Sequence, residues 1–397
     1  MKNAVVITGI GLVTPIKPFM GVDIFWDALC SGEDAIKKVS PPILDIDREW
    51  LMAGIDMSGG HAGLQGGCPE DKLHILAEEA LSIAMMDANL QGDLTIGLSI
   101  GTVLGNILLK EKRLIRNKDG NITGESEEGE SLSYINSFLK AKYGLKGQGI
   151  SVSTACASGT DAIGIAARKI IAGKSDIMIA GGVDILSDFA IIGFHSLQAL
   201  TEKKVQPFDK NRSGLALGEG AAFIVLEAEE NAVKRGARVY GKVLGYASRA
   251  DAHHLTGPHR GGRGLADAIN EAMFQANLKP HRIDYINAHG TGTVYNDLME
   301  TKAIKASFGD AAYNIPISST KSMLGHSFGA AGVIETICCL LSIKTKVIHP
   351  TINFEERDPE CDLDYVPNKA RQQEVKIAMS LSAGFGGQNS AIIFGES

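Results

Sequence analysis

No Cys-x-x-Cys pair and no regular cysteine spacing occurs among the six cysteines, at positions 30, 68, 156, 338, 339 and 361. That pattern excludes the common zinc-ligand spacings and a disulfide framework, and it suits a reducing compartment in which most cysteines are small buried hydrophobes. In such a compartment the Asn121-Ile122-Thr123 sequon has no meaning. Positive charge is not in excess either. A net charge of −7 over 397 residues gives no support to a nucleic-acid-binding surface. The apolar stretch 330–343 is interrupted by Glu335 and falls short of the roughly 20 residues that a spanning helix needs. The stretch MKNAVVITGIGLVTP turns into Gly, Thr and Pro after only four apolar residues, unlike the longer apolar core of a secretory signal. A phosphate-binding P-loop is missing as well, because Gly173-Lys174-Ser175 ends a helix and position 168 is Arg. These absences predict a cytoplasmic enzyme without a membrane or nucleic-acid partner.

What is present is a large core. Hydrophobic residues make up 44% of the chain and charged residues 21%, and the length suits two domains of ordinary size. Short β-branched runs (AVVITGI, TIGLSIG, GISVSTA, DIMIAGG, AAFIVLEA) alternate with Ala-rich helical stretches, and the pattern returns with GKVLGYAS, DYINAHG, PISST and AIIFG. Buried strands alternating with helices indicate an α/β fold with both sheet faces covered. The halves also match each other. Ile150-Ser151-Val152-Ser153-Thr154 corresponds to Ile315-Pro316-Ile317-Ser318-Ser319 at an offset of 165, and Gly218–Val225 corresponds to Gly387–Phe394 at an offset of 169. Two matches at nearly one offset predict a duplicated domain, with halves 1–235 and 236–397. Residues 52–69 and 117–131 read as solvated loops.

Four stretches carry chemistry. In Ser153-Thr154-Ala155-Cys156-Ala157-Ser158-Gly159 a strand gives way to a helix that runs to Gly173. A cysteine there lies near unpaired backbone N–H groups and the positive end of the helix dipole, both of which favour a thiolate. Taken alone, a cysteine at a helix start is more often a packing residue than a nucleophile. Asn287-Ala288-His289-Gly290-Thr291-Gly292-Thr293 puts an imidazole at the C-terminal end of a strand, where α/β sheets place their sites. Gly325-His326-Ser327-Phe328-Gly329 matches the G-x-S-x-G serine turn. That turn requires a strand leading directly into the serine, yet Thr320–Leu324 intervene. It also requires an acid and then a histidine downstream, which only Glu335 and His349 supply. Glu335 falls two turns into the same helix and is poorly placed to orient a loop histidine. A Ser–His pair stays open, but His326 with Lys321 is the better reading. Finally, glycines flank one aromatic in Ser382-Ala383-Gly384-Phe385-Gly386-Gly387-Gln388-Asn389, which allows backbone N–H groups to converge on an oxyanion. A tight turn is the bland alternative.

Together VVITGIGLVTP, STACASG, IAGGVD, PFDKNRSGLALGEGA, NAHGTGTVYND, SSTKSMLGHSFGAAG, PTINFEERDPECDLDYVPN and SAGFGGQN resemble, almost end to end, the elongating β-ketoacyl-[acyl-carrier-protein] synthases of the thiolase superfamily. The resemblance implies a thiolase-like fold: two duplicated α/β halves in a five-layered α-β-α-β-α arrangement. It implies a decarboxylating Claisen condensation between an acyl-enzyme and a malonyl-carrier thioester, in fatty-acid or polyketide-like biosynthesis. By position, Cys156 corresponds to the nucleophile, His289 and His326 to the paired histidines and Lys321 to the supporting lysine. Glu300 and Asp297 correspond to the acids behind them. Thr291 and Thr293 correspond to the threonines that hold the phosphopantetheine arm, Phe385 to the gate, and Leu104 and Phe194 to the acyl pocket. The backbone N–H groups of Cys156 and Phe385 would form the oxyanion hole, and Lys321 and Glu300 would fix charge and tautomer. No metal or redox cofactor is expected. The partners implied are an acyl carrier protein and a second subunit, in a homodimer or a heterodimer.

Two further readings accompany this one. A non-condensing chain-length subunit would ordinarily lack the cysteine that this chain keeps. The chain also departs from the family at its carrier-docking positions. Cys68-Pro69-Glu70-Asp71-Lys72, the acidic run Glu125 to Glu130, and Gln198 stand where basic residues are usual. Carrier proteins are acidic, so these changes predict a dedicated carrier or an altered docking surface.

Overall fold

The computed structural model describes residues 4–42, 47–57, 72–90, 95–116 and 131–397. Ten strands form one sheet: β1 (Val5–Val13), β2 (Ile96–Gly101), β3 (Gly149–Val152), β4 (Ile177–Asp184), β5 (Gly220–Ala228), β6 (Gly241–Ala250), β7 (Tyr285–Asn287), β8 (Ile317–Ser318), β9 (Ile377–Gly384) and β10 (Gln388–Gly395). Nearly all of β1, β2, β4, β5, β9 and β10 is buried, as continuous Val/Ile/Ala/Gly runs require. The sequence reading placed strands at nine of these ten. The one it did not name is β9, whose run IAMSLSAG alternates Ser with apolar residues.

The sheet is a repeat. In the first half β1 pairs antiparallel with β5 and β5 antiparallel with β4, while β4, β2 and β3 run parallel. In the second half β6 pairs antiparallel with β10 and β10 antiparallel with β9, while β9, β7 and β8 run parallel. Each strand of the first half therefore has a counterpart five strands later. The two sequence matches are counterparts in this sense, β3 with β8 and β5 with β10. Three residue pairs between β1 and β6, Val5 to Ile7 against Val243 to Gly241, join the halves into one sheet.

Helices complete the layers: α1 (Lys72–Asp87), α2 (Ser158–Ile171), α3 (Asp188–Ser196), α4 (Arg263–Gln275), α5 (Val294–Phe308) and α6 (Ala331–Thr345). α1 covers β1 and β5 on one outside, and α4 covers β6 and β10 on the other. Between the half-sheets, α2 and α6 pack on each other and on strands of both halves. This is the expected α-β-α-β-α order. The apolar segment Phe328–Thr345 is 89% buried inside the protein, so it is a core helix here.

The central pair touches at backbone distance. A Cβ built on Gly159 would lie 2.4 Å from the Gly329 carbonyl oxygen, and one on Gly182 would lie 2.3 Å from the same atom. A Cβ on Gly332 would meet Thr160 Oγ1 at 2.2 Å. The Gly/Ala run of GHSFGAAG is thus the close-packing surface that lets the helix after His326 lie against the helix after Cys156. We expect Gly159→Ala to cost about 1–3 kcal/mol by overpacking. Gly193→Ala, in α3 with nothing within 4 Å of its Cβ, should be neutral or slightly stabilising. Urea unfolding of both variants checks this; equal midpoints would contradict it.

Candidate active site

Along the continuous sheet the parallel strands of the two halves run in opposite directions, and the segments that follow their C-terminal ends are brought together across the central helices. Cys156 follows β3, His289 follows β7, and Lys321 and His326 follow β8. Since β3 and β8 are counterparts, the repeat delivers Cys156 from one half and the lysine–histidine segment from the other. All four side chains are buried: Cys156 7%, His289 2%, Lys321 1% and His326 1% exposed. The sulfur of Cys156 and one ring nitrogen each of His289 and His326 lie within 4.8 Å of one another. The imidazole rings meet edge to face, centroids 5.2 Å apart.

Local structure explains how each side chain is presented. Ala155 is held at φ 51°, a left-handed conformation unusual for alanine, so the chain bends sharply just before Cys156. Ser158 fixes that bend: its Oγ accepts from the Thr154 N–H at 2.9 Å and donates to the Ala155 carbonyl at 2.5 Å. The turn after β7 depends on left-handed Gly290 (φ 37°) and Gly292 (φ 80°). Its N–H groups are gripped by two buried acids. Glu300 accepts from His289 N at 2.7 Å and Gly290 N at 2.8 Å, and Asp297 accepts from Thr291 N at 3.1 Å and Phe208 N at 2.7 Å. Glu300 therefore holds the backbone of His289, not its ring as the tautomer-fixing expectation had it.

His326 has a defined tautomer. Its Nδ1 accepts the Phe328 N–H at 3.0 Å, which leaves Nε2 as the protonated donor. The His326 backbone is pinned to the strip before Glu219, its N–H on Ala216 O at 2.8 Å and its C=O accepting from Gly218 N at 2.9 Å. Neither His289 Nδ1 nor His326 Nε2 has a protein hydrogen-bond partner among the described residues. Burial, reinforced by the Lys321 charge, pushes both imidazoles well below their ordinary pKa, so both are neutral at pH 7.

Lys321 is paired with Glu335, a contact that sequence reasoning passed over. From the sequence Glu335 reads only as a triad acid; the signal for its pairing is that it is the one acid within the apolar helix AAGVIETICCLL. Burial raises its carboxyl to about 7 against the opposing pull of Lys321. A second buried acid, Asp184, ties the loop after β2 to the helix behind His326. It accepts from Thr102 Oγ1 at 2.8 Å, Leu104 N at 2.9 Å and Gly329 N at 2.7 Å.

Cys156 overturns one expectation. Burial pushes its thiol up to about 11, outweighing the Lys321 charge and the N–H groups of Phe385 and of Cys156 itself, which pull it down. The helix terminus does not make a resting thiolate where so little water reaches the sulfur. Cysteine and paired histidines are also a soft-metal donor set. Binding a metal would require that thiol to ionise and His326 to give up its Nε2 proton.

One cavity of about 410 Å³ gathers Cys156, Phe194, Gln198, Thr291, Thr293, His289, His326 and Phe385. The two threonine hydroxyls meet at 2.9 Å. Phe385 stacks on Phe194 with centroids 5.3 Å apart, and Phe194 meets Phe328 edge-on. Leu104 does not line this cavity; its half-buried side chain packs with the cluster of Trp50, Ile191 and Phe328. Ser327 is not in the cavity wall, and His349 is bonded at 3.1 Å to Tyr285 Oη and to Asn287 Nδ2, so no serine triad forms. Of the docking positions, Cys68 to Asp71 and Glu125 to Glu130 lie outside the described residues. Lys72 is committed inward, its Nζ 2.6 Å from Glu219 Oε2.

Known proteins match this chain throughout. Residues 2–232 fit the family model described as Beta-ketoacyl synthase, N-terminal domain, and residues 240–355 the one described as Beta-ketoacyl synthase, C-terminal domain. The chain is 36% identical to a 3-oxoacyl-[acyl-carrier-protein] synthase 2 of Coxiella burnetii, over 99% of this chain and 98% of that protein. It is 37% identical, with the same coverages, to a putative polyketide beta-ketoacyl synthase 1 of Streptomyces halstedii. Among solved structures it is similar to a type II polyketide ketosynthase in complex with its acyl-carrier protein, with TM-score 0.92, 34% identity and full coverage of both chains. It is also similar to the ishigamide ketosynthase/chain length factor, with TM-score 0.91, 32% identity and full coverage of both.

A thiol held near 11 reacts through a small thiolate fraction. The rate of iodoacetamide alkylation at Cys156, localised by peptide mass spectrometry, should therefore climb about tenfold per pH unit from neutral pH upward. A plateau below pH 8 would show that Lys321 and the helix terminus outweigh burial.

Proposed function

This chain belongs to the β-ketoacyl synthase family, and on that premise we propose how its own residues divide the work of condensation. The overall reaction joins an enzyme-bound acyl group to a malonyl-carrier thioester, releasing CO₂ and leaving a 3-oxoacyl-carrier thioester two carbons longer. The observation that carries the proposal is the convergence of Cys156 and the two neutral imidazoles within 4.8 Å.

In the first step the Cys156 sulfur attacks the acyl carbonyl of a carrier thioester and the carrier thiol leaves, taking up the proton that Cys156 gives up. The N–H groups of Cys156 and Phe385, which face the sulfur, stabilise the oxyanion formed there. A malonyl thioester then enters past Thr291 and Thr293. Loss of CO₂ leaves an enolate, whose oxygen takes hydrogen bonds from His326 Nε2–H and from His289. The enolate carbon attacks the acyl-cysteine carbonyl, and the Cys156 thiolate departs. Two neutral donors fit this step because imidazolium is not populated in so dry a site. Lys321 acts at a distance, as the charge that helps keep both rings neutral, and Glu335 balances it. In this division of the chain, residues 1–235 supply the nucleophile and 236–397 the histidines.

Substrate arrives on the phosphopantetheine of an acyl carrier protein. We place the carrier on the rim of the cavity mouth. There Leu197, Val294 and Tyr295 line the opening and Leu255 stands beside it, 50%, 49%, 64% and 81% exposed respectively. Arg260 on the same loop is also exposed. An apolar collar with little charge would make docking less salt-dependent than an ion-pair interface. The open edge of β3, where Gly149 and Ser151 are exposed, is the place for a second subunit, identical or related. Ser151→Pro should then shift the protein to a monomer in light scattering; an unchanged mass would move the interface elsewhere. Cytoplasmic location is part of the same proposal, and recovery of the native protein in a membrane or secreted fraction would overturn it.

Intact-mass detection after mixing with an acyl-carrier thioester, followed by malonyl-carrier, tests the chemistry. An adduct on Cys156 that is consumed on malonyl addition supports it, and an adduct on Ser327 would sink it. Cys156→Ala should abolish condensation, Cys156→Gln should retain malonyl decarboxylation, and His326→Ala should lose turnover. Leu255→Ser and Tyr295→Ser should raise KM for carrier-borne substrate several-fold, about 1 kcal/mol in binding. The same changes should spare a free pantetheine thioester. Equal effects on both substrates would place the carrier elsewhere.

A further inference from the structure

Asp161 sits in the first turn of α2, 3% exposed, and the condensation gives it no task. Its carboxylate collects four hydroxyls. Thr154 Oγ1, at the bend before Cys156, donates to Oδ2 at 2.6 Å, and Ser248 Oγ reaches the same oxygen at 3.4 Å. Tyr246 Oη donates to Oδ1 at 2.9 Å, and Ser390 Oγ donates to that oxygen as well. A carboxylate offers about four lone-pair sites, so the group is filled.

These partners come from both halves of the chain. Thr154 and Asp161 belong to the first, while Tyr246 and Ser248 on β6 and Ser390 on β10 belong to the second. Ser390 lies opposite Ser248 across one strand pair and opposite Ser382 across the other, in the hairpin whose turn is Phe385–Gly387. Ser382 is itself tied to Thr160 Oγ1 at 2.8 Å. The surroundings leave little slack: a Cβ on Gly164 would touch the Tyr246 ring at 2.3 Å, and the Arg168 guanidinium stands 4.8 Å from that ring's centroid. The oxyanion site needs one N–H from the Cys156 bend and one from the Phe385 turn, and these two backbones are fixed to each other only through contacts between the halves.

We propose that Asp161 is the positioning residue of the oxyanion site, locking the Thr154 bend to the Ser390 hairpin so that both N–H groups meet the same oxygen. This rests on the oxyanion role given above to Cys156 and Phe385. Asp161→Asn keeps the shape but leaves one acceptor oxygen where four hydroxyls donate.

Three rates on the purified full-length protein separate positioning from general damage. Single-turnover acyl transfer from an acyl-carrier thioester to Cys156 develops an oxyanion, and should fall by roughly 10²-fold, the scale of losing one oxyanion donor. Iodoacetamide alkylation of Cys156 develops none, and should stay close to the parent rate. Malonyl decarboxylation, measured in a Cys156→Gln background with and without Asp161→Asn, uses the histidines and should also be spared. An equal fall in all three rates, or no fall in acyl transfer, would overturn the proposal. Ser390→Ala, which leaves the carboxylate three donors, should show the same split at smaller size and serves if Asp161→Asn does not fold. If the parent protein itself never takes an acyl group on Cys156, the condensing mechanism fails; if it does and the split is missing, only the role of Asp161 fails.

Discussion

The proposed catalytic centre depends on two helices from different halves packing at backbone distance. Gly159 and Gly332 leave no room for a side chain between α2 and the segment that forms α6, and Gly182 on β4 lets the same segment approach the sheet. That approach brings the bend carrying Cys156 alongside the turn carrying His326, though the two lie 170 positions apart in the sequence. A methyl group inserted there would separate the sulfur from the imidazole without touching either side chain. The tight core and the reactive geometry are therefore one requirement.

The same packing sets the electrostatics. Water is nearly excluded from Cys156, His289, His326 and Glu335, and burial shifts each of these four toward its uncharged form. The one cation beside them, Lys321, is tolerated because Glu335 lies against it. Its field lowers both histidines further and partly offsets the upward shift of the cysteine. What remains is a thiol, two neutral donors and a balanced ion pair, a set suited to forming and cancelling negative charge on oxygen without a standing ion at the reacting atoms.

Much of this was readable in the chain. Nine of the ten sheet strands, the internal repeat and the residues after β3, β7 and β8 follow from local pattern, since strand ends and glycine turns announce themselves within a few residues. Hydropathy patterning could not show the partner of Glu335, because its Lys321 contact spans 14 positions and a change of element. Nor could it show that Glu300 grips the His289 backbone instead of its ring. The protonation state of Cys156 is hidden for a related reason: a helix start is visible in sequence, but the depth of burial around it is set by segments from elsewhere in the chain. Asp161 likewise looks like an ordinary first-turn acid until Tyr246 and Ser390 arrive from the second half.

The sheet order has a topological consequence. Strand β6 lies between β1 and β10, and its Val243 faces Val5 on one side and Phe394 on the other. The first and last strands of the chain are thus about 10 Å apart across a single strand. A circular permutant opened near Gly236 and joined by a short linker between the present ends would keep every strand pairing and invert the order of the halves. Acylation of Cys156 in that permutant would show that the assembled interface, and not the order of synthesis, defines the enzyme.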